Sequence, residues 1–240
     1  MNLRKYFEIS LGSLPIILSA PHGGYKRPKL IPDKQAGQNI VDKNTYIIAK
    51  QIIRSFKDSS IYYLLNKIHR SKVDLNRPPR SNQAFDQSSD LARNIHFAYH
   101  DQLRRFAQEA VSTYGRALII DLHGFTKPKN GYPDIILGHV FGNTLDLLQN
   151  SNEENCDRYW GCSQLHQELS RFFSLDDGLR ISNFNLGYSG GYITQQFYNV
   201  KKVSAIQVEV AKYIRLNYEL TSKFVKACTK AIINSLLIED

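Results

Sequence analysis

Residues 117–121, Ala-Leu-Ile-Ile-Asp, constrain the fold more than any other part of the chain, because their continuous apolar run has no polar side to turn to water. Such a run reads as a central strand covered on both faces, as in a sheet layered between helices. The rest of the pattern agrees. Residues 43–57 carry Ile47, Ile48, Ile52, Ile53 and Phe56 at helical spacing. Residues 90–114 read as a helix closed by Gly115, residues 159–174 as another, and residues 218–237 as a long closing helix. Further strands are predicted at 61–65, 134–137 and 203–210. Residues 4–10 and 14–19 are β-prone runs split by Gly12-Ser13, a hairpin signal. Residues 71–89 form a long loop of a kind that often carries function, and residues 143–155 a polar loop or broken helix.

Strands alternating with helices predict an α/β protein: a three-layer α/β/α arrangement whose central sheet is twisted and, because of the hairpin, mixed. A length of 240 residues suits a single domain. In such folds ligands sit beyond the carboxyl ends of the strands.

The formal charge of +9 suits nucleic acid, an anionic membrane or an acidic small substrate. The Lys and Arg residues are scattered, without the block or tail that nucleic-acid binding favours. The apolar run at 14–20 is too short to span a membrane and ends at Pro-His-Gly-Gly, so no targeting or membrane segment is read. The three cysteines, Cys156, Cys162 and Cys228, are odd in number and form no CxxC pair. That argues against a disulfide framework and a Cys-rich zinc site, with the cytoplasm as default compartment.

Four segments could carry chemistry. His22 follows a strand in Ser-Ala-Pro-His-Gly-Gly, where Pro21 ends the ladder and the glycines let the chain turn. His123 ends the central strand two residues after Asp121, so the two share one face and Asp121 could orient an imidazole. The loop from His69 to Arg77 holds Arg70, Asp74, Asn76 and Arg77. The planar fork of Arg77 can grip a carboxylate, with Asp74 and Asn76 as braces. Glu209 lies inside an apolar strand and is either an edge carboxylate in solvent or a buried one with raised pKa, as a general base requires. Asp42 reads in isolation as a helix N-cap, and could also complete a His–Asp–His site, with Asp33 as the alternative. His96 and His100 lie one helical turn apart, as surface or substrate-facing residues. The glycine-rich loop at 187–191 lacks the preceding strand and following Lys-Ser/Thr of a phosphate cradle.

Taken in order, Ser19-Ala-Pro-His-Gly-Gly24, Asp74-Leu-Asn-Arg77, Asp121-Leu-His123 and Gln207-Val-Glu209, with Tyr-Ser-Gly-Gly before the last, resemble the N-formylglutamate amidohydrolase family. The match runs from about residue 14 to 215. That family is similar in architecture to zinc carboxypeptidases and aspartoacylases. The resemblance implies one Zn2+ per chain, or another divalent metal, held by His22 and His123. The third ligand stays open, with Asp42 favoured over Asp33. It implies Glu209 as general acid/base and Arg77 on a substrate carboxylate or the oxyanion. Asn76, Arg70, His100 and Tyr192 are expected as further substrate contacts, with Asp121 and Asp74 expected to support the ligands. The implied substrate is a small acidic N-acyl amino acid such as N-formylglutamate, or a peptide.

The sequence departs from the pattern at three places. Tyr25 stands where carboxypeptidases have a ligating Glu, Gly124-Phe125 where a Ser is frequent, and Lys212 where Arg is frequent. Competing readings are a same-fold zinc peptidase or amidase acting on peptide or cell-wall amides, and a non-catalytic basic protein binding nucleic acid or another anion.

Overall fold

The apolar run becomes β4 (Ala117–Phe125), the longest strand of the sheet together with β7 (Val203–Ala211). In this computed structural model, which describes residues 2–56, 59–128, 131–147, 158–179 and 189–238, both strands lie in the middle of a seven-stranded sheet. The other strands are β1 (Phe7–Ser10), β2 (Ile16–Ala20), β3 (Tyr62–Asn66), β5 (Ile135–Gly138) and β6 (Leu175–Asp176). Their order is β1-β3-β2-β4-β7-β5-β6. The strands β3, β2, β4 and β7 run parallel. Strand β1 is antiparallel to β3 and β5 to β7, so the sheet is mixed.

The mixed sheet was expected, but the hairpin proposed for its start is not there. Strand β3 lies between β1 and β2 and bonds to both. The Gly12-Ser13 pair crosses the start of β3 instead of turning tightly: Ser13 N–H donates to the Ser60 carbonyl at 2.7 Å. A Cβ on Gly12 would lie 2.3 Å from Tyr62 N, so the glycine is there for close passage.

Helices cover both faces. Along β4, Leu118, Ile120 and Leu122 face one core, and Ala117 and Ile119 the other, as the two-residue strand period requires. The first core is closed by α1 (Thr45–Arg54), α3 (Cys162–Leu169) and α6 (Tyr218–Leu236), through Ile48, Ile52, Leu165, Phe224 and Ile232. The second is closed by α2 (Asp90–Tyr114), through Ile95, Tyr99, Leu103 and Phe106. Each such fully buried aliphatic or aromatic side chain contributes roughly 1.5–3 kcal/mol.

Helix α2 has the predicted bounds, with Ser89 capping it through the Ala92 N–H. Helix α3 is shorter than the predicted 159–174, because Gly161 takes φ 80°, outside helical backbone, as the chain packs onto Leu118. Two short helices, α4 (Tyr192–Gln195) and α5 (Lys212–Leu216), flank β7. The end of the polar 143–155 segment, Cys156 and the Gly187-Tyr188 start of the glycine-rich loop lie outside the described residues. Cys228 is free and buried, whereas Cys162 takes part in a disulfide, against the expectation from the cysteine count. Among the described residues no helix is long and apolar enough to cross a membrane.

Candidate metal centre

Parallel pairing places the polar residues of three strands side by side at the carboxyl end of the sheet. In the register of β2 with β4, Ser19 lies opposite Asp121. In that of β4 with β7, Asp121 lies opposite Gln207 and His123 opposite Glu209. The chain leaves β2 through Pro21 to His22, whose ring meets that of His123 edge-on with centroids 4.8 Å apart. Both histidines are buried, as are Asp42, Asp74, Asp121 and Glu209.

Each imidazole is gripped from behind by a carboxylate. His22 Nε2 lies 2.7 Å from Asp74 Oδ1 and His123 Nε2 lies 2.8 Å from Asp121 Oδ2. With each Nε2 tied to its acid, the Nδ1 of each ring is left to face the third acid, Asp42. Asp42 Oδ2 is 3.4 Å from His22 Nδ1 and 3.5 Å from His123 Nδ1. It also accepts the Gly124 N–H at 3.0 Å. His22, Asp42 and His123 each offer one ligand atom within 4.8 Å of the others and could hold a metal ion.

The carboxylates are themselves positioned. Asp74 accepts from Arg70 Nε at 2.8 Å and from the Asn76 N–H at 3.0 Å. Asp121 accepts from Ser19 Oγ at 2.6 Å, and Ser19 lies 2.7 Å from the Tyr99 hydroxyl on α2. Glu209 Oε1 accepts from Gln207 Nε2 at 2.8 Å, while Glu209 Oε2 is buried without a partner. Gln207 Oε1 in turn accepts from the Gly191 N–H and from Asn76 Nδ2.

The electrostatics follow from burial and charge. Burial alone would raise the Asp42 carboxyl, but its contacts with His123 and His22 outweigh that and hold it far below the ordinary carboxylate range. Asp74 is lowered in the same way, against burial, by His22 and Arg70. His123 goes the other way: burial disfavours its charged form, yet Asp121 and Asp42 hold its pKa well above the usual imidazole value. Glu209 is raised by burial, only partly offset by His123. Four buried carboxyl groups around two imidazoles form a cluster that a cation stabilises. His22 Nδ1 is buried with no hydrogen-bond partner, as a ligand atom would be. The donor set therefore fits a divalent metal by its chemistry.

A cavity of about 780 Å³ opens onto this cluster, with Glu209, Arg77 and Lys212 in its wall. The loop from Arg70 to Arg77 supplies one side. Arg70 is taken up by Asp74 and lies 3.6 Å from Asp42, so it serves the acids before any substrate. Among the described residues Arg77 has no carboxylate partner and donates only to the Asn76 carbonyl. His100 and Tyr192 are not in the cavity wall. His100 is buried on α2 with its Nε2 donating to the Leu75 carbonyl at 2.9 Å, and the Tyr192 ring packs on it at 5.1 Å. Asp33 is half-exposed, paired with Arg27 and Lys72, and is not in the cluster.

Sequence reasoning passed over Arg215, a buried cation beside the cluster with no motif to betray it. It also reads no G-x-S-x-G nucleophile turn in the chain, whereas residues 187–191, Gly-Tyr-Ser-Gly-Gly, have that spacing. Ser189 makes no hydrogen bond to a histidine among the described residues, so the nucleophile–base pair is missing.

Residues 82–214 match the model of a family described as N-formylglutamate amidohydrolase. The match includes His123 and Glu209 and begins after His22 and Asp42. No protein of curated function matches the chain. Among solved structures, the chain is similar to N-formylglutamate amidohydrolase from Ralstonia eutropha JMP134, with a TM-score of 0.66 and 15% identity over 95% of this chain and 96% of that one. It is also similar to a gene product of Agrobacterium tumefaciens, with a TM-score of 0.63 and 14% identity over 96% of this chain and 93% of that one. At those identities the likeness is one of fold.

Proposed function

The chain belongs to the N-formylglutamate amidohydrolase family, and on that basis we propose that it hydrolyses the amide bond of a small acidic N-acyl amino acid, such as N-formylglutamate, with a metal held by His22, Asp42 and His123. The observation that carries this reading is the convergence of the two Nδ1 atoms on Asp42 Oδ2 while both Nε2 atoms are tied to carboxylates. Zinc is held by His/His/carboxylate sets in hydrolytic enzymes, and other divalent ions bind such sites as well. A bound metal of this kind polarises a carbonyl and acidifies water.

The remaining work falls to the chain's own residues. Glu209, raised by burial and presenting an unpartnered Oε2, takes the proton of the attacking water. It returns that proton to the leaving nitrogen as the C–N bond breaks, giving a carboxylate and a free amine. Asp74 and Asp121 keep the imidazoles in the tautomer that leaves Nδ1 free. Arg77, with no acid of its own among the described residues, binds a substrate carboxylate or steadies the oxyanion. Lys43 and Lys212 add positive charge to the same wall without a carboxylate partner among the described residues. One domain over 1–240 carries the whole site in this reading.

The test is a panel of N-formyl and N-acetyl amino acids with acidic and uncharged side chains, assayed with zinc present. The acidic members should be preferred by at least about tenfold in kcat/KM, and Arg77→Met should remove most of that preference, since a charge-assisted pair contributes about 1.5–3 kcal/mol. Cleavage of peptide or cell-wall amides with no turnover of acyl amino acids would overturn the substrate assignment in favour of a same-fold amidase.

A further inference from the structure

Asp42 differs from its two partner ligands in where it sits. His22 follows a strand directly and His123 lies within one, whereas Asp42 belongs to an irregular segment before α1 and gains no ladder hydrogen bonds. A ligand on such a segment is only as well placed as the bonds that tie the segment down. Locally, the Asp42 carbonyl accepts from the Thr45 N–H at 3.1 Å and the Thr45 hydroxyl at 2.7 Å, and three further ties reach other segments. Asp42 N–H donates to the His22 carbonyl at 3.0 Å, Asp42 Oδ2 accepts the Gly124 N–H, and the next residue is held by Arg215.

Arg215 lies on α5, just after β7, and is buried. Its guanidinium forms no salt bridge among the described residues and binds three backbone carbonyls instead. Nε donates to Val210 at 2.9 Å, one terminal nitrogen to Phe125 at 3.2 Å, and the other to Lys43. Those carbonyls belong to the three segments that carry Glu209, His123 and Asp42. Asn44 completes the link: at φ 70° it turns the chain into α1, and its Nδ2 donates to the Arg215 carbonyl at 2.8 Å. The guanidinium lies against Gly124, where a Cβ would sit 2.3 Å from Arg215 Cζ, so the glycine leaves the room that the cation fills. Burying a cation against neutral acceptors is costly. A planar fork with five donors is the side chain able to satisfy three carbonyls on separate segments at once.

We propose that Arg215 is a positioning residue for the metal cradle, its guanidinium fixing the segment that carries Asp42 to the strand ends that carry His123 and Glu209. Rupture of this tie loosens Asp42 and weakens metal binding before it unfolds the protein. The inference rests on the reading of His22, Asp42 and His123 as metal ligands.

The test measures zinc affinity by competition with a chromophoric chelator, and melting of the metal-free protein by circular dichroism. It compares wild type, Arg215→Lys and Asn44→Gly. Asn44→Gly keeps a residue suited to positive φ and deletes only the amide contact, so it reports even if the Arg215 variant fails to fold. Both variants should bind zinc more weakly, Arg215→Lys by about 10–100-fold, the usual effect of losing a residue that orients a ligand. The metal-free melting of Asn44→Gly should stay within a few degrees of wild type. Folded variants with wild-type zinc affinity would overturn the positioning role and leave the metal site standing. A wild type that binds no zinc would overturn both.

Discussion

Glu209 shows at the residue scale how burial and pairing set a role. One oxygen is fixed by Gln207, the other is buried without a partner, and burial raises the group. Glu209→Gln preserves shape and removes the proton acceptor of the proposed mechanism. It should retain zinc with near wild-type affinity and lose about 10²–10⁴-fold in kcat, the usual range for a general base. A variant that turns over at near-normal rate contradicts the assignment. Several of these residues could be read from sequence, because a polar side chain at the end of an apolar strand has few other reasons to be there. His22, His123 and the Asp121–His123 pair are of that kind. Asp42 was ambiguous, since an acid before a helix is also the signature of an N-cap. In the structure its carboxylate serves the cluster, and Asn44 stands at the cap position of α1. Arg215 had no signature, because its acceptors are backbone carbonyls and those leave no trace in the side-chain pattern.

At the scale of elements, α2 does more than cover the sheet. His96 and His100, one turn apart on its buried face, donate to the carbonyls of Arg77 and Leu75 and so hold the loop that carries Arg77 from behind. Burial lowers His96 to about 4 and His100 to about 3, so both are neutral in the folded protein at neutral pH. Above about pH 6.5 they are neutral in the unfolded chain as well and add no pH dependence. Below that value the unfolded chain takes up protons that the folded state refuses. Stability is then lost, by up to about 1.4 kcal/mol per pH unit for each histidine, until the folded pKa is reached. Urea midpoints between pH 7.5 and 5.5 should therefore fall less steeply in His100→Gln than in wild type, and equal slopes would contradict this account. The spacing of these two histidines was visible in the sequence, but not the direction they face. The hairpin expected at Gly12-Ser13 failed for a related reason: periodicity identifies strands, and only tertiary pairing tells which strand comes between them.

For the whole molecule, a charge of +9 acquires meaning only once its distribution is known. Much of it lies on the surface, but Lys43, Arg77 and Lys212 line the cavity that opens onto the cluster of His22, Asp42 and His123. Cations in a cavity wall draw in anionic substrates, and salt screens that attraction over about 8–10 Å at physiological ionic strength. The kcat/KM for an acidic N-acyl amino acid should fall several-fold as NaCl rises from about 20 to 200 mM, with a smaller change for its uncharged analogue. Equal salt dependence for both would show that the cavity charge plays no part in capture. The three-layer architecture was the most legible feature of all, because an apolar central strand leaves few other ways to keep water off both faces of a sheet.

The most direct test of the account is the metal content of the protein purified without added metal and then offered zinc at neutral pH, measured by elemental analysis for wild type and His22→Ala/His123→Ala. About one zinc per chain in the wild type, absent from a folded double variant, is the result the geometry of His22, Asp42 and His123 predicts. No stoichiometric zinc in the wild type, or undiminished zinc in the double variant, would contradict it.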